Sequence, residues 1–167
     1  MILCSINDKK DFMNKFLAGD CFYSFLLKEA SITGFVPMQI DGRINTSFFE
    51  AEDPEAARFF KEEFASWADI RPFCFDFIKG KRTPTRFHFV LYLNSEASNQ
   101  LLTKEHLTKE ASMIQNLVLN IKYEQGRITL VSGVDYSSFT LDKQAENLWD
   151  KTVMKFLSHK QISYTLE

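Results

Sequence analysis

Apolar and polar residues alternate along several parts of the chain, which is the pattern of strands with one buried face. The cleanest example is the segment 86–93, where four apolar residues share a face: Phe87, Phe89, Leu91 and Leu93. Residues 117–123 and 128–131 alternate in the same way on either side of Gln125-Gly126, a dipeptide that fits a tight turn. These two segments therefore predict a β-hairpin.

The N-terminal segment predicts a strand followed by a helix. Residues 3–6 form a short apolar run, and beyond it apolar residues recur at helical spacing until Gly19: Phe12, Met13, Phe16 and Leu17. A second helical pattern opens at Asp53-Pro54, because Asp is a good N-cap and Pro is favoured at the first helical position. The apolar face of this second helix would contain Ala56, Phe60, Phe64 and Trp67.

A first hairpin is predicted between these two helices. Apolar residues alternate over the segment 30–40, Asp41-Gly42 supplies a tight-turn signal, and the segment 44–49 would be the returning strand. Pro37 has no backbone N–H to donate to a neighbouring strand. We therefore expect its strand to lie at an edge of the sheet or to carry a bulge.

The segment 70–80 fits both a strand and a helix. Three phenylalanines alternate as in a strand, whereas five apolar residues recur at helical spacing: Ile70, Phe73, Cys74, Phe77 and Ile78. Pro72 near the start and Gly80 at the end favour the helix, because both residues then mark a helix boundary. On this helix Phe73 and Phe77 would face the core.

The C-terminal part predicts a connection, a strand, a long helix and a last strand. Residues 94–115 are polar and indicate a solvated connection that contains a short helix. Phe139 and Leu141 predict a short strand, and Asp142 would cap the helix with the clearest apolar stripe: Ala145, Leu148, Trp149, Thr152, Val153, Phe156 and Leu157. The alternating tail 162–166 predicts an edge strand.

Together these patterns predict an α+β fold, mainly an antiparallel sheet packed by about four helices, in one domain that spans residues 1–167. The 17 phenylalanines fall chiefly on the predicted inner faces and would build the core. Three rings miss those faces, and we expect them to be exposed contact residues: Phe35, Phe59 and Phe75.

The charge balance and the cysteines narrow the class of protein. The net charge is −2, from 20 basic and 22 acidic residues, so any attraction for a polyanion must be local. No run of 18 apolar residues and no signal peptide is present, which predicts a cytoplasmic protein without a membrane span. Cys4, Cys21 and Cys74 are widely spaced and are expected to be reduced, buried thiols.

The sequence lacks the common catalytic motifs. Its six glycines lie too far apart to form a dinucleotide-binding loop, and its three histidines fall in separate elements: His88, His106 and His159. We therefore expect no metal and no cofactor. A nucleophilic pair such as Cys74 with His88 would have to be assembled by the fold, and Asp76 would face outward from the helix 70–80. The sequence favours a non-enzyme and leaves catalysis open.

The sequence feature that most directly suggests a function is a basic turn at residues 79–86. Its four cations lie between aromatic-rich segments: Lys79, Lys81, Arg82 and Arg86. Cations of this kind neutralise phosphates while neighbouring rings stack on bases, as in proteins that bind single strands. A solvated turn between two buried segments, or a site for another anion, is the alternative. Lys15 on the first predicted helix is a further candidate for polyanion binding.

Five blocks of the sequence carry a family resemblance: residues 11–15 (DFMNK), 40–43 (IDGR), 70–75 (IRPFCF), 78–84 (IKGKRTP) and 139–143 (FTLDK). They resemble those of an uncharacterised family of bacterial proteins of about this length. The resemblance covers most of the chain and implies a whole-chain domain of unknown function. It implies no catalytic residue.

The order of the predicted elements is also similar to the repeating unit of DNA sliding clamps. In those clamps, two helices of each unit face the DNA and carry lysines. The matching helices here carry basic residues: Lys9, Lys10, Lys15, Arg71 and Lys79. The chain departs from that unit by an acidic helix after Pro54, the connection after Asn94 and the helix after Asp142, and it supplies one unit where a ring needs several.

We hypothesise a non-enzymatic binding module with nucleic acid or another polyanion as its partner, contacted through the basic turn. The alternative is an enzyme or a small-ligand binder with a Phe-lined pocket. A homo-oligomer is a third option, in which the acidic residues near position 53 of one copy meet the basic turn of another.

Overall fold

A seven-stranded antiparallel sheet forms the centre of the computed structural model, which describes residues 1–109 and 113–167. The strand order is β3-β2-β4-β5-β6-β1-β7. The strands are β1 Leu3–Ile6, β2 Phe25–Thr33, β3 Pro37–Asp41, β4 Arg86–Leu93, β5 Ile114–Glu124, β6 Arg127–Tyr136 and β7 Tyr164–Leu166. With the helices that pack on it, this sheet makes the α+β fold that the sequence predicts.

These helices pack buried residues against one face of the sheet: α1 Lys9–Met13, which continues as a π-helical turn at Asn14–Ala18, α3 Trp67–Ile78, α4 Ser95–Lys104 and α5 Gln144–His159. A short helix, α2 Ala56–Phe59, contributes no residue to this core. A short 3₁₀ turn occupies Thr46–Phe48. The buried core lies between this layer and the inward strand residues, and its largest fully buried side chains include Trp67, Trp149, Phe12, Phe16, Phe22 and Phe89.

The opposite face of the sheet is largely polar. One row of paired residues crosses all seven strands and consists of polar side chains only: Gln39, Ser31, His88, Lys122, Thr129, Ser5 and Thr165. A small apolar cluster at one end of this face contains Leu26, Phe64, Val90, Tyr92 and Val118. Because side chains alternate between faces, the helix-covered face receives the apolar residues and this face receives the polar ones.

Helix α3 is attached to the end of the π-helical turn by two side chains. The carbonyl groups of Phe16 and Leu17 accept hydrogen bonds from the Trp67 indole Nε1, at 3.1 Å, and from the Arg71 guanidinium. Carbonyls in the last turn of a helix have no partner within the helix. Trp67 and Arg71 are four residues apart on one side of α3, so both reach these carbonyls together.

Most of the predicted elements are confirmed. Strands β1, β4 and β7, the β5–β6 hairpin with its turn at Gln125-Gly126, the first helix and the long C-terminal helix all form where the pattern indicates. The segment 70–80 is helical, although α3 begins at Trp67 and Pro72 lies in its second turn. The connection 94–115 contains α4 as its short helix; residues 110–112 of that connection lie outside the described residues.

The first hairpin is wrong in its turn. The chain reverses at Gly34–Val36, with a hydrogen bond from Gly34 N to Val36 O at 3.1 Å, so the predicted single strand over 30–40 is two paired strands. Pro37 opens β3 at the edge of the sheet, as its missing N–H requires. Gly42 is needed for close packing instead of for a turn, because an added Cβ would lie 1.7 Å from the Leu27 carbonyl oxygen.

The second predicted helix is also wrong, because only Ala56–Phe59 is helical. The chain at Phe64 to Ser66 is extended instead, and pairs on both sides: Leu27 N donates to Ala65 O, and Ala65 N donates to Gly42 O, each at 2.8 Å. These backbone bonds compete with helix formation, and Trp67 becomes the first residue of α3.

Two other predictions are wrong: the strand at Phe139 and Leu141, and the burial of Phe73 and Phe60. Phe139 and Leu141 form no strand and are 87% and 81% exposed. Both sides of β6, the strand that precedes them, are already paired with β5 and β1. Phe73 is 67% exposed instead of lying in the core, and Phe60 is exposed as well. On α3 the inward position is taken by Cys74, which turns Phe73 outward.

Candidate polyanion-binding cleft

A cleft of about 850 Å³ opens between α1, with its π-helical turn, and the C-terminal end of α3. Its apolar lining comes from both sides and from the basic turn: Met13, Leu17, Ala18, Phe75, Ile78 and Pro84. Its cations are Lys10 of α1 together with Lys79 and Arg82 of the basic turn. The fold therefore places an exposed aromatic ring and three cations around one opening.

The two walls are positioned by the bonds between α3 and the π-helical turn. Trp67 and Arg71 fix the helix end that supplies Leu17 and Ala18, while the far end of α3 supplies Phe75 and Lys79. Single π-helical turns inside helices occur frequently at functional sites. Here the turn is one wall of the cleft.

The acidic residues at the cleft are engaged within the protein. Asp8 caps α1 by accepting the Asp11 backbone N–H at 3.0 Å, and the Asp11 carboxylate pairs with Lys15 at 2.8 Å. Lys79 pairs with Asp76 at 2.9 Å, and its Nζ lies 5.8 Å from the centre of the Phe75 ring. Both members of the Lys79 pair are more than half exposed, so the pair is weak and leaves the lysine available to a ligand.

Lys10 and Arg82 form no ion pair with a described residue. Lys79 and Arg82 were predicted from the sequence, whereas Lys10 was not among the predicted site residues. Its role depends on α1 packing beside α3, which no local pattern in the sequence encodes. The only signal for it was its position on a helix matched to the lysine-bearing helices of sliding clamps.

The remaining predicted cations lie outside the cleft lining. Lys15 binds Asp11 and donates to the Gln161 carbonyl at 2.8 Å, which turns it away from the opening. Lys81 is exposed in the basic turn but does not line the cleft. Arg86 begins β4 and borders a groove of about 340 Å³ on the open face of the sheet.

The three predicted contact rings lie in different settings. Phe75 is exposed and lines the cleft, and Phe35 is 94% exposed at the tip of the β2–β3 hairpin. Phe59 is half-buried instead of exposed, because its ring stacks on Phe49 with centroids 4.9 Å apart and Arg58 lies over it at 4.1 Å. The exposure predicted for Phe59 is therefore wrong.

A second aromatic feature lies on the other side of α3. The planes of the Phe35 and Phe77 rings are inclined by 29°, with centroids 6.5 Å apart, and Phe73 is one helical turn from Phe77 on the same side. We name Phe35, Phe73 and Phe77 the aromatic strip. The hairpin that carries Phe35 is bonded to the basic turn, since Thr85 N donates to Thr33 O at 2.9 Å.

Cys74 and His88, the nucleophilic pair considered from the sequence, lie on opposite faces of the sheet. Burial raises the pKa of the Cys74 thiol to about 12, and burial, with a smaller effect of the Glu167 charge, raises the pKa of Cys4 to about 11. Cys74 lies in the core, whereas His88 lies on the open face, with Nε2 at 3.0 Å from the Asn120 oxygen. The sheet separates the two, so the fold does not assemble the Cys74–His88 pair.

A small pocket has the aromatic lining that the ligand-binding alternative predicts. It measures about 180 Å³ and is lined in part by Phe25, Trp149 and Phe156. Pockets for drug-sized ligands usually measure about 300–1,000 Å³. Within residues 1–109 and 113–167, no cluster of three metal-ligating side chains occurs, and no helix of that part of the chain is long and apolar enough to cross a membrane.

Comparison with known protein families gives a match over most of the chain. The profile of a family of unknown function (DUF5721) matches residues 15–165. No curated protein and no solved structure matches the chain. The predicted membership of an uncharacterised family that covers most of the chain is thereby confirmed, while the bacterial origin of that family and the resemblance to sliding clamps stay predictions.

Proposed function

We propose that this chain, which belongs to that family of unknown function, is a non-enzymatic module that binds a phosphate-bearing polyanion in the cleft between α1 and the basic turn. One observation carries the proposal: α1 brings Lys10 to the same opening as Lys79 and Arg82, about seventy residues further along the chain. Three cations converge there although the whole chain is slightly acidic.

The apolar lining strengthens electrostatic binding at this cleft. Phosphates attract lysine and arginine through charge and through the release of condensed counterions. The exposed Phe75 ring and the side chains of Met13 and Ile78 offer surface to the uncharged parts of the same ligand. A phosphate chain with attached apolar groups therefore fits the lining better than a bare inorganic ion does.

The charge count predicts the strength of the salt effect. If Lys10, Lys79 and Arg82 each neutralise one phosphate, the logarithm of the binding constant falls with the logarithm of salt concentration with a slope of about −2 for a single strand. A tenfold rise in salt then weakens binding about a hundredfold. Binding is therefore expected at low ionic strength and is lost near physiological salt.

The test is fluorescence anisotropy with a labelled 15-residue abasic phosphodiester chain, titrated between about 20 and 200 mM KCl. The variant K79A/R82A removes two of the three cations and should weaken binding at least tenfold at low salt, with a slope reduced to about −0.7. The matched control K61A/K122A removes the same charge from exposed lysines outside the cleft and should leave the affinity within about twofold. Equal losses in both variants, or no binding at 20 mM KCl, would contradict the proposal.

A further inference from the structure

Given the polyanion cleft, on whose proposed function this step rests, we infer that the ligand is a single strand of nucleic acid whose bases stack on the aromatic strip beside the basic turn. The strip comprises Phe35, Phe73 and Phe77. It adds aromatic surface on which bases can stack, and a polyanion without bases would not use that surface. Exposed rings next to phosphate-binding cations are the combination by which proteins hold single strands without reading their sequence.

Phe35 is placed as a stacking surface. Its side chain is 94% exposed at the tip of a short hairpin, where burying it in the core would be the ordinary outcome for a phenylalanine. The Phe77 ring lies beside it with centroids 6.5 Å apart, and an added Cβ on Gly34 would lie 3.4 Å from the Phe77 ring. The hairpin tip therefore packs closely on Phe77 while the Phe35 ring extends into water.

Phe73 extends the same surface along α3. It is 67% exposed and lies four residues before Phe77, so the two rings project from one side of the helix. Phe35 and Phe73 therefore offer exposed faces to bases, whereas Phe77 is half-buried and packs against the core. Such stacking tolerates any sequence, because every base has an aromatic face.

The strip and the cleft flank the same helix. Phe75, Ile78 and Lys79 face the cleft, whereas Phe77 faces the hairpin and Phe73 lies one helical turn before Phe77 on the same side of α3. A helix with its side chains is about 10 Å across, so a short stretch of strand spans both sides. The basic turn lies at the helix end between them and is held to the hairpin by the bond from Thr85 N to Thr33 O.

A single strand fits this arrangement better than a duplex does. In a duplex the base faces are stacked on one another and are closed to a protein ring, whereas the bases of a single strand are free to stack. The three rings would then contribute nothing to duplex binding. Discrimination between strand and duplex is therefore part of the inference.

The experiment compares labelled oligothymidylate of 15 residues with the abasic chain of the same length and with a 15-base-pair duplex, all at 20 mM KCl. The unmodified protein should bind oligothymidylate at least tenfold more tightly than the abasic chain. F35A should weaken the binding of oligothymidylate about tenfold and leave the abasic chain unchanged, because only the stacked base is lost. F35W should restore the affinity.

The matched control is F139A, which removes another highly exposed phenylalanine that lies outside the strip. It should change neither affinity. Circular dichroism of each variant checks the fold, which the removal of a side chain exposed to this degree should not disturb.

The outcomes distinguish a failure of the stacking inference from a failure of the polyanion cleft. If oligothymidylate and the abasic chain bind equally and F35A affects neither, the stacking inference is overturned while the polyanion cleft stands. Duplex bound as tightly as oligothymidylate overturns it as well. If neither single chain binds at 20 mM KCl, both the cleft and the stacking surface are wrong.

Discussion

Replacing Trp67 by Phe tests the contact that joins α3 to the wall of the cleft. The Trp67 indole is fully buried, stacks on Phe16 with centroids 4.5 Å apart, and donates Nε1–H to the Phe16 carbonyl. Among the described residues no backbone N–H reaches that carbonyl. The W67F variant keeps the aromatic stack and leaves a buried carbonyl without a hydrogen bond.

Trp149 provides a matched comparison. It is also buried, and its indole Nε1 donates to the Val118 carbonyl at 2.7 Å. Val118 lies in β5 between two paired strands, where each residue already exchanges ladder hydrogen bonds with one neighbour. The W149F variant therefore leaves its carbonyl satisfied.

The magnitudes follow from these two environments. Each variant loses part of an indole ring, which costs about 1–2 kcal/mol in apolar contact and cavity. W67F adds the desolvation penalty of an unpaired buried carbonyl, about 1–3 kcal/mol. We expect the free energy of unfolding to be lower in W67F than in W149F by that second amount.

Urea unfolding followed by far-ultraviolet circular dichroism measures the difference without relying on either tryptophan as the probe. With a slope of about 1–3 kcal/mol per molar urea, a difference of about 2 kcal/mol moves the midpoint by roughly 1 M. Equal midpoints, or a lower midpoint for W149F, would refute the conclusion that Trp67 supplies the hydrogen bond that the Phe16 carbonyl otherwise lacks.

Two further predictions concern close packing and pH. Gly42→Ala should lower the free energy of unfolding by about 1–3 kcal/mol, because the added Cβ would overlap the Leu27 carbonyl. In the control Gly133→Ala the added Cβ meets only an ordinary contact at 3.9 Å, so this variant should be as stable as the unmodified protein or more stable. Equal urea midpoints for the two variants would contradict this prediction. The folded pKa values of Cys4 and Cys74, about 11 and about 12, exceed the ordinary value of 9, so their contribution to stability is complete below pH 9 and is lost as the pH rises toward the folded values. The urea midpoint of the unmodified protein should fall between pH 9 and 11, and that of Cys74→Ala should fall less steeply. An equal fall in the unmodified protein and in Cys74→Ala would contradict the raised pKa of Cys74.

The sequence predicted the strands with clean alternation because each has one face on the core and one in water. The segment 42–66 escaped prediction for a different reason. Its short pairings of Ala65 with Leu27 and Gly42 join residues distant in sequence, and no local pattern encodes them. Asp53-Pro54 gave a valid helix-start signal, but these long-range backbone bonds left only four residues helical.

The candidate site was predicted in part. The basic turn stands out in the sequence because four cations lie within eight residues, and two of them line the cleft. Lys10 required knowledge of which helices pack together. Lys15 does not line the cleft, and its ammonium group pairs with Asp11, four residues before it.

The three phenylalanines of α3 show how one ambiguous pattern decides the surface on which the proposed function rests. At strand spacing Phe73, Phe75 and Phe77 would share one face, and all three would be buried or exposed together. In the helix, with 100° between successive residues, Phe73 and Phe77 share a side and Phe75 projects from another. Cys74 takes the inward position, so Phe75 reaches the cleft with Lys79, Phe77 reaches the hairpin and Phe35, and Phe73 projects into solvent on the side of Phe77. The helical assignment of this one segment therefore decides that cations and exposed rings border the same helix, which is the geometry that a single strand requires.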